Sequence, residues 1–146
     1  MRALAYMLGI VAGLGLSVQV GMNTQLRKVL QSPNAAALVS FLVGTAALIA
    51  ILLALRTPLP ARDTLAAVPV WAWFGGLFGA FYVASSTVVA TEIGATSLLA
   101  LALLGQLATA LVIDHFGWLG LPMHPITWMR VAGVVLLGAG VWLVTR

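Results

Sequence analysis

Apolar residues in this chain fall in long, nearly unbroken runs, separated by short clusters of Pro, Gly, Arg and polar residues. The run LVSFLVGTAALIAILLAL at 38–55 is apolar on all sides. A strand half-buried on a sheet would alternate, and a helix on a protein surface would keep one polar face. A helix apolar all round belongs in lipid or in a large core. Crossing a bilayer takes about 20 mostly apolar residues. On that measure the pattern predicts five helices, at about 4–26, 33–55, 70–91, 97–116 and 126–145.

The punctuation between the runs supports these limits. Ser32 is suited to cap the second helix, with Pro33 as its first residue, where the missing N–H does no harm. Arg56 and the sequence TPLP close that helix. Pro69 opens the third, with Trp71 and Trp73 at interfacial positions. Thr96 or Ser97 is expected to cap the fourth, and Gly117 to end it in a left-handed conformation. Pro125 opens the fifth, with Trp128 and Trp142 near its ends. The first run begins after Arg2, but no convincing Ala-x-Ala site follows, so it is expected to be a retained helix and not a cleaved signal.

Composition narrows the class. Of 146 residues, 62% are hydrophobic and 7% charged, against about 45–50% and about 25% in soluble domains. Mean hydropathy is +1.13. So few charges cannot solvate the surface of a chain this short, which excludes a soluble enzyme, and disorder needs the opposite composition. A β-barrel is excluded because its strands alternate over about ten residues. Lipid-exposed backbone must satisfy itself internally, which leaves helices. Five helices leave room for short connections only, so residues 1–146 read as a single transmembrane domain.

The net charge of +4 does not signify nucleic acid, because the seven basic residues are scattered and form no stripe. They read as membrane-flanking charges. With five spans, Arg2, Arg56, Arg62 and Arg130 fall to the N-terminal face, and Arg27, Lys28 and Arg146 to the other. Four against three is a weak bias for fixing orientation. Insertion in one orientation and insertion in both are equally compatible with it.

Candidate chemistry lies mainly in neutral groups. Gln19 and Asn23 share one face of the first helix. Gln106 lies near the middle of the fourth, and Phe81, Tyr82, Ser85 and Ser86 lie in the inner part of the third. Amides in hydrocarbon need partners. They either bond across helices, at about 1 kcal/mol each, or line a cavity and bind a polar solute. For the two serines packing is the better reading. Among the acids, Glu92 alone could reach inward, which makes it the coupling candidate; the competing reading is a hydrated Glu in a tight turn. Asp114 and His115 read as an interfacial helix end, and with His124 they supply too few ligands for a metal. Absence of Cys removes thiolate chemistry. Neither a catalytic constellation nor a cofactor site is expected. Small residues at Gly9/Gly13, Gly75/Gly79 and Ala36/Ser40/Gly44 mark helix-packing ridges.

Two longer stretches carry a resemblance: VGMNTQLRKVLQSPNAAALVSFLVGT (20–45) and IGATSLLALALLGQLATALVIDHFGWLG (93–120). With the glycine-rich end MRVAGVVLLGAGVWLV (129–144), they resemble the five-helix YdcZ-type branch of the drug/metabolite transporter superfamily over nearly the whole chain. The resemblance implies a multi-pass exporter of the bacterial inner membrane. Larger members of the superfamily have ten helices in two inverted five-helix repeats, so two copies of this chain could rebuild that shape as an antiparallel homodimer. Asn23, Gln106 and Asp114 match the family pattern. The chain departs from it at Thr91-Glu92, where the family places Pro-Arg. The related four-helix multidrug exporters carry a Glu in their first helix, and no acid occurs in the first span here.

Together these readings predict a secondary transporter, an exporter of small polar or amphipathic metabolites working by alternating access about a midplane site. Gln19, Asn23, Phe81, Tyr82 and Gln106 are the expected substrate-binding residues, and neutral or zwitterionic substrates the expected cargo. The competing expectation is a non-transporting membrane subunit or scaffold, or the obligate half of a heterodimer.

Overall fold

The computed structural model describes residues 2–146, with the side chain of Arg2, one of the basic residues counted above, outside the described residues. Among the described residues the regular structure is all helical: α1 (Arg2–Leu30), α2 (Pro33–Ala54), α3 (Arg62–Ala66), α4 (Gly75–Phe116) and α5 (Trp128–Val144), with 3₁₀ turns at Val70–Phe74 and Trp118–Gly120. Three stretches are long and apolar enough to cross a membrane: Ala3–Leu30, Pro33–Ala54 and Val70–Phe116. The fourth apolar helix, α5, has 17 residues. The outer surface is apolar, with Leu48 63% and Phe78 76% exposed. In water such a surface would aggregate, whereas in lipid it is the matching solvent.

The ends of α2 follow directly from local chemistry. Ser32 is extended, and its hydroxyl accepts the Ala35 amide at 3.2 Å, with Pro33 opening the helix as expected. At the other end Arg56 takes φ 50°, Thr57 N donates to Leu52 O at 2.9 Å, and Arg56 N donates to Leu53 O at 3.1 Å. That pair of bonds is a Schellman closure with Arg in the position usually held by Gly. The cationic side chain also complements the carbonyl end of the helix dipole.

Three helix limits differ from the sequence pattern. Helix α1 continues to Leu30, because Gln25, Arg27 and Lys28 sustain helix as well as apolar residues do. Helix α5 begins at Trp128, with Thr127 as its cap accepting Arg130 N at 3.3 Å, because Pro125 and Ile126 precede the capping hydroxyl. Thr96 and Ser97 cap nothing. Helical bonding runs from Gly75 to Phe116, and the interruption falls on Gly94, at φ 82° and ψ 157°. That conformation is essentially restricted to glycine. The apolar stretch Val70–Phe116 has 47 residues, about 70 Å of helix, more than twice a hydrocarbon core of about 30 Å.

The chain divides into two compact units, Met1–Val88 and Val89–Arg146. In the first, α1 packs along α2, and the Phe41 ring of α2 lies over Gly79 of α4. Buried apolar positions there are Val20, Ala36, Ala37 and Val83. In the second, Leu98 and Val141 are buried, and Leu104 of α4 approaches Gly138 of α5.

Candidate functional site

The inward stripe of α1 is Val20, Asn23, Thr24 and Arg27, spaced by threes and fours so that they share one helix face. Val20 is 2% and Asn23 3% exposed. Arg27 Nη1 donates to Thr87 O in α4 at 2.9 Å. The hydroxyls beside it are satisfied within their own helix: Ser86 Oγ donates to Val83 O, and Thr87 Oγ1 to Ala84 O, both at 2.8 Å. These two hydroxyls therefore serve packing, as expected for Ser86. Asn23 lies within the packed stripe.

Two cavities, both open to the surface, lie within the Met1–Val88 unit, with Leu38 and Phe81 exposed at one and Gln19, Thr45 and Leu48 at the other. The larger, of 550 Å³, lies between the start of α2 and α4, among Pro33, Ala37, Phe41, Ala80, Phe81 and Val88, with Asn34 and Ser85 as its polar side chains. The smaller, of 230 Å³, lies between α1 and α2 and is lined by Gln19, Ser40, Phe41, Gly44, Thr45 and Leu48. Among the described residues no ionisable side chain lines either one. The first offers apolar contact and two aromatic rings. The second offers an amide and two hydroxyls, which hydrogen-bond neutral polar groups. Among the described residues no three His, Cys, Asp or Glu side chains gather as for a metal.

Gln19 and Phe81 are exposed and each lines one of the two cavities, while Asn23 is buried in the packed stripe of α1. Tyr82 points its hydroxyl into a buried place, where it has no hydrogen-bond partner among the described residues. Gln106 is exposed and lies in the Val89–Arg146 unit, as does Glu92, which is exposed two residues before the Gly94 break. Neither lines either cavity. Sequence reading missed Phe41, Ser40 and Thr45. Ser40 had registered as part of a packing ridge, and Phe41 as one more apolar residue. Gly79 was the available signal, since a helix-interior glycine costs about 1 kcal/mol relative to Ala and a close aromatic neighbour accounts for it.

The Val89–Arg146 unit carries a second polar group. Arg130 Nη2 pairs with Asp114 Oδ2 at 2.6 Å, and Arg130 Nη1 donates to His124 O at 2.9 Å. His124 N donates to Asp114 O at 2.7 Å, and Ile126 N donates to His115 Nδ1 at 3.1 Å. Gly117, at φ 63°, turns the chain out of α4 as its sequence position suggested. These bonds staple the α4–α5 connection to the end of α4.

Comparison with known proteins adds the following. A family described as "Putative inner membrane exporter, YdcZ" matches residues 4–143. The inner membrane protein YdcZ of Escherichia coli (strain K12) is 31% identical over 140 residues, covering 94% of this chain and 91% of that protein. No solved structure matches. The chain belongs to the YdcZ family and is an inner-membrane protein.

Proposed function

We propose that this member of the YdcZ family is a secondary transporter, exporting small amphipathic or polar metabolites by alternating access. The observation that carries the reading is the pair of adjoining cavities of unlike chemistry. An amphipathic solute presents an apolar part and a hydrogen-bonding part, and the two cavities offer a complement to each. Absence of ionisable lining favours neutral or zwitterionic cargo, because an isolated ion in hydrocarbon is costly without a partner. Gln19 and Phe81 are the contact residues in this reading. Asn23 supports Gln19 from the next turn, and the unpartnered Tyr82 hydroxyl is available to a ligand once the helices shift. The description of the family as an exporter points to transport and away from catalysis.

The same reading counts five membrane crossings. Val70–Phe116 is long enough for two, and Gly94 supplies the interruption between them. Two antiparallel copies would then form ten helices with the inverted symmetry that alternating access uses. Exposure of Gln106 in an apolar helix supports a second chain, since an amide facing lipid lacks a partner.

Purified protein in proteoliposomes, under an imposed proton gradient or potential, is screened against neutral and zwitterionic amphiphiles. Saturable movement, reduced at least tenfold by Gln19→Leu in a folded variant, is the expected result. No movement with the chain alone, and its appearance when a related five-helix chain is added, would favour an obligate heterodimer half instead. That second reading has its own support: Gly9 and Gly13 of α1 meet nothing within 4 Å, which leaves a small-residue ridge for a partner chain of either kind.

A further inference from the structure

In the Val89–Arg146 unit, Leu104 of α4 approaches Gly138 of α5. Gln106, two residues on, lies about 200° further round the helix at 3.6 residues per turn. It therefore faces away from α5, and it is exposed. Helix α5 offers its amide no side-chain partner, since residues 131–141 are all apolar or glycine. Gln106 also stands at the middle of its stretch: it follows the Gly94 break by twelve residues and precedes Phe116, the last of α4, by ten. At 1.5 Å per residue these are about 18 and 15 Å, against about 15 Å for half a hydrocarbon core. A crossing by this stretch holds the amide near the midplane, away from interfacial water. Ala102 and Ala110 flank it at four residues either side, on the same face. Both are small, which lets a second backbone come within reach of the amide.

We infer that Gln106 pairs with Gln106 of a second copy of this chain, at the point where the two α4 helices cross. A carboxamide carries both donors and an acceptor, so two of them exchange N–H···O=C bonds and each satisfies the other. Two-fold symmetry supplies the match in depth. A seam residue at the midplane meets its own copy whether the axis runs along the membrane normal or within its plane. Seam residues above or below the midplane meet their own copies only in the first, parallel case; in the antiparallel case Ala102 meets Ala110. The pairing rests on the two-copy reading above, but not on its antiparallel orientation.

The chain contains no Cys, so introduced thiols report without background. Chains bearing Ala102→Cys and Ala110→Cys, with Gln106 intact, are expressed singly and together under different tags. Their membranes are oxidised with copper phenanthroline, and disulfide-linked dimers are measured. The expected result is a disulfide between the two variants when they share a membrane, and little from either alone. Val135→Cys, exposed on α5, measures random collision. Adding Gln106→Leu to both chains is expected to lower the yield about fivefold, the loss of an interhelical amide bond. Gln106→Asn, which keeps the carboxamide, is expected to recover part of it. A yield indifferent to Gln106→Leu would overturn the amide pair. No disulfide above the Val135→Cys level in any combination would overturn the seam as a whole. Disulfides of each variant with itself, lowered by Gln106→Leu, would uphold the pair and remove the antiparallel orientation proposed above.

Discussion

Ser32 and Pro33 divide the work of starting α2. The hydroxyl takes the Ala35 amide, and the proline ring presets the first helical φ. The helix so started carries lining residues of both cavities. Ser32→Ala is expected to cost about 1 kcal/mol of stability, while Ser32→Asp restores it. Chemical denaturation of the purified protein in mixed micelles measures both. Glu92 is testable at this scale too. Its side chain is exposed two residues before Gly94, and the reading proposed for it is a hydrated one. Glu92→Gln is therefore expected to leave proton-driven transport within about twofold; abolition of the pH response with binding retained would make Glu92 the coupling group.

At the scale of the element, the break in α4 and the junction after it carry the consequences. Gly94 holds a backbone conformation that a Cβ disfavours by about 1–3 kcal/mol, although nothing within 4 Å would obstruct the methyl itself. Gly94→Ala is expected to lower stability by that amount through backbone strain alone, and Gly105→Ala, in regular helix with open space, to be neutral or stabilising. Paired thermal melts of the two variants separate conformational strain from crowding. Beyond the break, the Asp114–Arg130 pair is partly exposed, at 23% and 39% for the two side chains. A pair so placed is worth up to about 1 kcal/mol. Asp114→Asn is expected to lower Tm by about 2–4 °C, and a double-mutant cycle with Arg130→Gln to recover a coupling of the same sign.

For the whole molecule the open matter is what covers the polar and small-residue positions that face outward. Gln106 is exposed on α4, and Gly9 and Gly13 are open on α1. Under the antiparallel reading the chain is inserted in both orientations. Reporters active in the cytoplasm and in the periplasm, fused separately to Arg146, are then expected to give comparable normalised signals. One reporter alone would remove the self-sufficient antiparallel pair and direct the search to an oppositely inserted partner. Gln106→Leu is expected to weaken association, seen as a shift toward monomer on dilution in detergent. An unchanged distribution would return Gln106 to a role within one chain.

The class of molecule was legible in the sequence because lipid imposes it on composition. A chain of 146 residues with 62% hydrophobic content and few charges has one solvent that suits it, and lipid admits helices where it excludes open strands. The start of α2 and the turn at Gly117 were legible because caps depend on residues three or four positions apart. The break at Gly94 was missed because Thr96 and Ser97 have capping chemistry, while glycine is the residue that can take the reversed φ. Gln19 and Phe81 could be nominated because an amide or an aromatic within a span draws notice by itself. Phe41 could not, because one Phe among apolar neighbours carries no local mark. Its meaning comes from Gly79, 38 positions away in the chain and in van der Waals contact in space. Periodicity and capping act along the chain and can be read there; cavities are the space left between helices, and only packing decides which side chains bound them.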